Sequence, residues 1–223
     1  MKRYYRDTLP SCNHLMQPDN PYFNNPPDFL ALSKEFPSLL PFVGVNEDKT
    51  VFFKWSEPNS VRSRFLSQII SRELTKVLMK KDFHIDWDMP ASHLCPGIPG
   101  RINYLSWLHD VLHLLPKYAQ AKDPLLGIDV GTGASCIYPL LGNALYHWEF
   151  IATDIDPESI ASAESLVREN HLESAIHVRQ REPDQPLLSD LVESSDRPIS
   201  FCICNPPFFS SVEEVTSMTV FHC

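Results

Sequence analysis

Asn205-Pro206-Pro207-Phe208 is a tetrapeptide whose residue types suit group transfer to a planar nitrogen. The lone pair of an exocyclic amine is delocalised into its ring, so the amine is a poor nucleophile. An Asn side-chain oxygen and a backbone carbonyl can accept its two N–H protons. They then hold the nitrogen and direct its lone pair at an electrophile. Two successive prolines stiffen the backbone and free carbonyls from any ladder. Phe208 offers a ring to stack on a planar substrate. The gain would come from positioning, and no general base with a tuned pKa is required. The bland reading is a strand end broken by prolines. Asn205, Pro206, Pro207 and Phe208 are the catalytic candidates.

A second constellation lies upstream. Gly127-Ile128-Asp129-Val130-Gly131-Thr132-Gly133 holds three of the seven glycines in the chain. Glycine supplies positive φ in a tight turn and lets a ligand approach the backbone. A helix that follows presents free N–H groups at its start. Asp154, with Asp156 two residues on, ends the next strand, where an acid can accept hydrogen bonds from ribose hydroxyls. Together they point to an adenosine-containing cofactor; alone, the glycines are an ordinary strand–helix turn. Cys136 stands where the third glycine of a dinucleotide fingerprint belongs, and the P-loop lysine is absent. Both disfavour NAD and nucleoside triphosphates.

These residues need a frame, and the apolar periodicity supplies one. Strands are expected at Leu125–Val130, Glu149–Ile155, Ala175–Gln180 and Ile199–Cys204. Helices are expected at Ala134–Leu145 and Pro157–Asn170, the latter starting with Pro after Asp156. The β-α-β-α-β order implies a parallel sheet with right-handed crossovers, an α/β fold. Ahead of it, residues 1–27 read as a poorly ordered, proline-rich lead-in. Asp28 is placed to cap a helix over Phe29–Phe36. A longer helix runs from near Pro58 to about Met79, and another over Arg101–Leu115 with Ile102, Leu105, Leu108 and Leu112 on one side. The outer face of the long helix carries Arg62, Arg64, Arg72, Lys76 and Lys80, a solvated face or a contact for phosphate.

The chain has 223 residues and a net charge of −9. Residues 1–122 carry 15 Lys/Arg against 12 Asp/Glu, and residues 123–223 carry 4 against 16. A polyanion would meet the first half more favourably. No apolar run is long enough to span a bilayer and no secretory signal is evident, so no membrane partner is expected. The six cysteines form no CxxC pair and the nine histidines are scattered, so no metal site is indicated. A reducing compartment, nucleus or cytoplasm, is the default.

The chain resembles the class I S-adenosylmethionine-dependent methyltransferases. More closely, it resembles the U6 small nuclear RNA adenine-N6 methyltransferase family, related to a bacterial 23S ribosomal RNA enzyme. The resemblance rests on Pro26-Pro27-Asp28-Phe29, on Arg101-Ile102-Asn103-Tyr104 with Trp107, and on the block from Gly127 to Gly142. Ala152-Thr153-Asp154 and Cys204-Asn205-Pro206-Pro207-Phe208-Phe209 complete it. It spans about residues 24–210. It implies a Rossmann-like core at 123–211 that binds S-adenosylmethionine, preceded by a helical RNA-binding extension at 28–122. The cofactor-binding candidates are Arg101, Asp129, Gly131, Gly133, Ser135, Asp154 and Asn205. Arg101 would hold the methionine end and Asp154 the ribose; Asn205 to Phe208 would hold the adenine to be methylated. The loop Arg181–Pro186 would flank the cofactor's adenine. Structured RNA is the implied partner.

The family's sheet has seven strands, and the pattern here shows four. Ile199–Cys204 is therefore expected to carry a bare edge, and the chain to be a truncated product with an atypical tail at 212–223. Three readings follow: an RNA adenine-N6 methyltransferase, a protein glutamine-N5 methyltransferase with the same N-P-P-aromatic geometry, and an inert RNA-binding fragment. The first is favoured.

Overall fold

The computed structural model describes residues 16–46, 51–53 and 61–206; at 51–53 and 61–66 the description is of the backbone. Pro207, Phe208, the expected helix start at Pro58 and the tail lie outside the described residues.

The described part opens with turns that dock on later helices. Asn20 is buried and its Nδ2 donates to the Pro99 carbonyl at 3.0 Å. Tyr22 is also buried and its hydroxyl donates to Asp82 at 2.7 Å. Over its described part, the segment expected as a poorly ordered lead-in is thus tied down by buried polar contacts, which a reading of composition overlooks. Helix α1 (Phe29–Glu35) starts as expected: Asp28 accepts from the N–H groups of Leu30 and Ala31. A 3-10 helix over Pro37–Phe42 and a two-stranded antiparallel ribbon, β1 (Val43–Val45) and β2 (Val51–Phe53), follow. Strands of three residues carry too little periodicity to be seen in sequence.

Helix α2 (Val61–Phe83) runs four residues past its expected end. It stops at His84, which takes φ +59°, and the Ile85 N–H reaches back to the Met79 carbonyl. Glycine is the usual residue at such a left-handed helix stop. Helix α3 (Ile98–His113) begins three residues earlier than expected, with Pro99 in its first turn. Ile102, Leu105, Leu108 and Leu112 are all buried, as the spacing predicts. A single turn, α4 (Pro116–Ala119), leads to the sheet.

The sheet is built from β3 (Leu126–Val130), β4 (Glu149–Asp154), β5 (Ile176–Gln180) and β6 (Ile199–Cys204), within a residue of the expected bounds. Helices α5 (Ile137–Tyr146) and α6 (Pro157–Glu169) connect the first three strands, and a short helix, α7 (Ser189–Glu193), precedes β6. All pairings are parallel and the order is β5-β4-β3-β6. The chain therefore winds outward through three strands, then returns across β3. This is the expected Rossmann-like α/β arrangement. Among the described residues β6 has one paired side, to β3.

One hydrophobic cluster joins the extension to the sheet. It takes Leu32, Ile70, Val77, Met79 and Trp87 from the N-terminal part, Ile102 and Leu105 from α3, and Leu140, Phe150 and Phe201 from the sheet layer. Three cations of the basic face of α2 are paired within the chain, the side chains of Arg62 and Arg64 lying outside the described ones. Arg72 and Lys76 meet Asp88, and Lys80 meets Asp86. The expected phosphate-binding reading of these three cations is thus weakened by carboxylates only a few residues beyond the helix.

Candidate cofactor site

The reversal of winding makes a crevice at the carboxyl ends of β3 and β6. In open α/β sheets ligands bind at such a switch point. The register pairs Val130 with Cys204. Gly131 and Asn205 are the next residues on their strands, so the two sequence motifs stand side by side.

The glycine turn is firmly held. Gly131 and Gly133 take φ +73° and +63°, and a Cβ on either would meet nothing within 4 Å. The N–H groups of Gly131 and Thr132 both donate to the Thr153 carbonyl at 2.9 Å. Asp154 then clasps the turn: Oδ2 accepts from Gly133 N–H at 2.8 Å, and Oδ1 accepts from Asp156 N–H at 3.0 Å. From outside, Ser162 Oγ donates to the Ala134 carbonyl and Trp87 Nε1 to the Ser135 carbonyl. The turn continues through Cys136, which is buried with φ +46°, so α5 starts at Ile137 and not at Ala134. Burial pushes the Cys136 thiol up to about 12, the Thr132 hydroxyl opposing and the Asp129 charge reinforcing it.

Asp129 lies beneath the turn, 1 % exposed, and neither of its oxygens has a hydrogen-bond partner. Burial pushes its carboxyl up to about 7; the nearby Thr132 hydroxyl opposes the shift and the Asp154 charge adds to it. A sealed carboxyl acts on a ligand through the turn above it and through its charge. Arg101, in the second turn of α3, sets its guanidinium 5.7 Å from the centre of the Tyr138 ring, and its Nε is out of solvent without a partner. Tyr104 packs edge-on against Tyr138 and beside Trp107, which is half exposed. Asn205 is half-buried and Pro206 exposed. The Arg181–Pro186 loop starts beside Asp154, whose carbonyl accepts from the Arg181 N–H at 2.8 Å, and the Arg181 side chain donates to the Pro186 carbonyl and pairs with Asp190.

These residues fit an S-adenosylmethionine-like molecule. Open space above two left-handed glycines suits a backbone-hugging chain. The partnerless Arg101 Nε suits a carboxylate, and the Asp129–Asp154 pair gives a potential that favours a sulfonium cation. Two cavities, of about 320 and 520 Å³, lie elsewhere: one beside Trp87, Lys80 and Glu169, the other beside Tyr22 and Pro27. Neither includes a residue of the crevice. The sequence reading gives Thr132 and Thr153 no role of their own within their motifs and does not single out Trp87 and Ser162, which shape the turn. Trp87 and Ser162 act on it from distant segments, through side-chain to backbone bonds that leave no local pattern.

A family model described as RNA methyltransferase matches residues 11–221. The chain belongs to this RNA methyltransferase family. It is 39% identical over 201 residues to the U6 small nuclear RNA (adenine-(43)-N(6))-methyltransferase of Caenorhabditis elegans, covering 89% of this chain and 39% of that protein. It is 38% identical over 193 residues to the ribosomal RNA large subunit methyltransferase F of Pseudomonas savastanoi pv. phaseolicola, covering 84% and 54%. The N-terminal domain of human METTL16, solved in complex with SAH, superposes with a TM-score of 0.74 at 32% identity, covering 92% of this chain and 77% of that one. The chain thus spans between about two fifths and just over half of these two curated relatives. Its sheet is the Rossmann-like sheet of the class I methyltransferases in this family.

Proposed function

We propose that this chain carries the cofactor-binding side of an S-adenosylmethionine-dependent RNA adenine-N6 methyltransferase. The observation that carries the reading is the register of β3 and β6, which sets the Gly131–Gly133 turn beside Asn205 at the switch point. In this reading Arg101 holds the methionine carboxylate, Gly131 and Gly133 open the turn to the cofactor, and Ser135 stands beside them with its carbonyl held by Trp87. Asp154 reaches the ribose hydroxyls, and Asp129 supplies negative potential from below. Asn205 accepts from the target amine, with Pro206, Pro207 and Phe208 completing the adenine clasp. The bound cofactor supplies an electrophilic methyl on sulfur. The protein's own work is to hold the amine nitrogen in line with it and keep water away.

The acceptor is structured RNA, with the half-exposed Trp107 beside Tyr104 as an aromatic platform at the crevice rim. The 28–122 segment forms the RNA-facing extension and 123–211 the cofactor core. The nucleus or the cytoplasm is the place of action. Among the described residues no helix is long and apolar enough to cross a membrane.

Calorimetric titration of S-adenosylmethionine into the 223-residue chain tests the cofactor half. Binding that Arg101→Ala weakens is expected; a folded chain that binds RNA but no cofactor would overturn it in favour of an inert RNA-binding fragment. Labelled-methyl transfer tests the acceptor. Label in N6-methyladenosine of an RNA hairpin is expected, and label in protein glutamine would replace this acceptor with the other.

A further inference from the structure

We propose that Asp19, His109 and Asp110 bind a first-row divalent cation, zinc foremost, which clips the N-terminal turn to α3. This place is two turns along α3 from Arg101 and separate from the crevice. The three side chains bring one donor atom each to within 4.8 Å of one another. His109 and Asp110 come from α3. Asp19 is delivered by the turn that α3 itself anchors, through Gln17 N–H to Asn103 Oδ1 and Asn20 Nδ2 to the Pro99 carbonyl.

The imidazole is the distinctive part. His109 Nδ1 is out of solvent and has no hydrogen-bond partner. It faces Asp110 Oδ1 at 3.6 Å, beyond hydrogen-bond reach. That gap does suit two donors sharing one ion: with zinc–donor bonds of about 2.0–2.1 Å it corresponds to an angle of about 120° at the metal. The ring is already fixed in place. It stacks on Tyr146 at 4.3 Å and lies 4.0 Å from the His113 ring, so binding need not order it. One nitrogen with two carboxylate oxygens suits zinc and its neighbours, whereas calcium and magnesium take all-oxygen sets. Both carboxylates are exposed, which leaves room for water to complete the shell. A dication would also relieve the repulsion between them.

The experiment is calorimetric titration of zinc into the metal-free full chain, beside Asp19→Asn, Asp110→Asn and His109→Gln. One zinc per chain is expected, and each substitution should weaken it by about tenfold or more, since each removes one of three protein donors. Zinc should raise the melting temperature of the parent and not of the variants. Asp19 and Asp110 are exposed, so their variants carry the test should His109→Gln fail to fold. Cobalt should give visible d–d bands without a thiolate charge-transfer band. Zinc uptake that the three substitutions leave unchanged, a thiolate band from the cysteines, or no uptake would overturn the site and leave a plain His–Asp ion pair.

Discussion

Asp154→Asn separates two roles that one carboxylate performs. In the structure each oxygen of Asp154 accepts from a different backbone N–H, Gly133 at 2.8 Å and Asp156 at 3.0 Å. An asparagine keeps one acceptor and turns an NH2 donor toward the other N–H. One charge-assisted bond is lost, and the abandoned donor faces another donor. Hydrogen bonds to charged groups contribute about 1.5–3 kcal/mol, and the half-buried position keeps the estimate inside that range. For a chain of this size each kcal/mol corresponds to roughly 2–4 °C in melting temperature, so Asp154→Asn should melt roughly 3–12 °C lower. Asp154→Glu, which retains two acceptors on a longer arm, should recover most of the loss. The assay is a circular-dichroism melt of the cofactor-free chain, which isolates the clasp from any ligand contact. An Asp154→Asn variant that melts with the parent would refute the reasoning, because the carboxylate would then not be holding the turn. Loss of S-adenosylmethionine binding without loss of stability would assign Asp154 to the ribose alone.

Three further outcomes follow from the same structure. Gly127→Ala should cost about 1–3 kcal/mol by overpacking, read in urea denaturation, because its Cβ would fall 2.2 Å from Cε2 of Phe201, whose ring is locked against Trp148 and Phe150; an unchanged midpoint would mean that β6 slides freely. Trp87→Phe should cost about 1 kcal/mol by removing the bond from the indole to the Ser135 carbonyl, and full stability would show that the bond adds nothing. The folded Asp129 carboxyl titrates near 7, above its unfolded value of about 3.9, so the folded chain binds the extra proton between these values and stability falls as pH rises through that window. Asp129→Asn should therefore gain on the parent between pH 5 and pH 8 by urea denaturation, and a constant difference would place the ionisation elsewhere.

Much of the architecture is legible locally. β3 and β4 read as mostly apolar runs, broken by Asp129 and by Thr153-Asp154, because strands buried on both faces favour apolar side chains. α6 announced itself through Asp156 and Pro157, since a side-chain acceptor and a preset φ are what a helix start requires, and Asp156 does accept from the Ser159 N–H. Helix ends were harder. α2, α5 and α6 each close at or just before a histidine with positive φ, namely His84, His147 and His171. Glycine marks such a stop in sequence; in a chain with seven glycines an exposed histidine takes the left-handed position instead. β1, β2 and α7 were missed because three to five residues do not establish a period.

The sequence by itself determined which residues carry the chemistry: a glycine turn, an acid at a strand end, and an Asn-Pro-Pro step after an apolar strand. Those are short-range matters of backbone freedom and side-chain type. Only the tertiary structure decided that β6 returns to pair with β3, which brings Asn205 beside Gly131. It alone decided that Asp154 gives one oxygen to the turn at Gly133 and the other to Asp156 N–H, that Asp129 is sealed beneath the turn, and that Asp19 meets His109. The reason is physical. Strand order and burial arise from pairing and packing between distant segments, and their free energy belongs to the whole core, so no local window contains it.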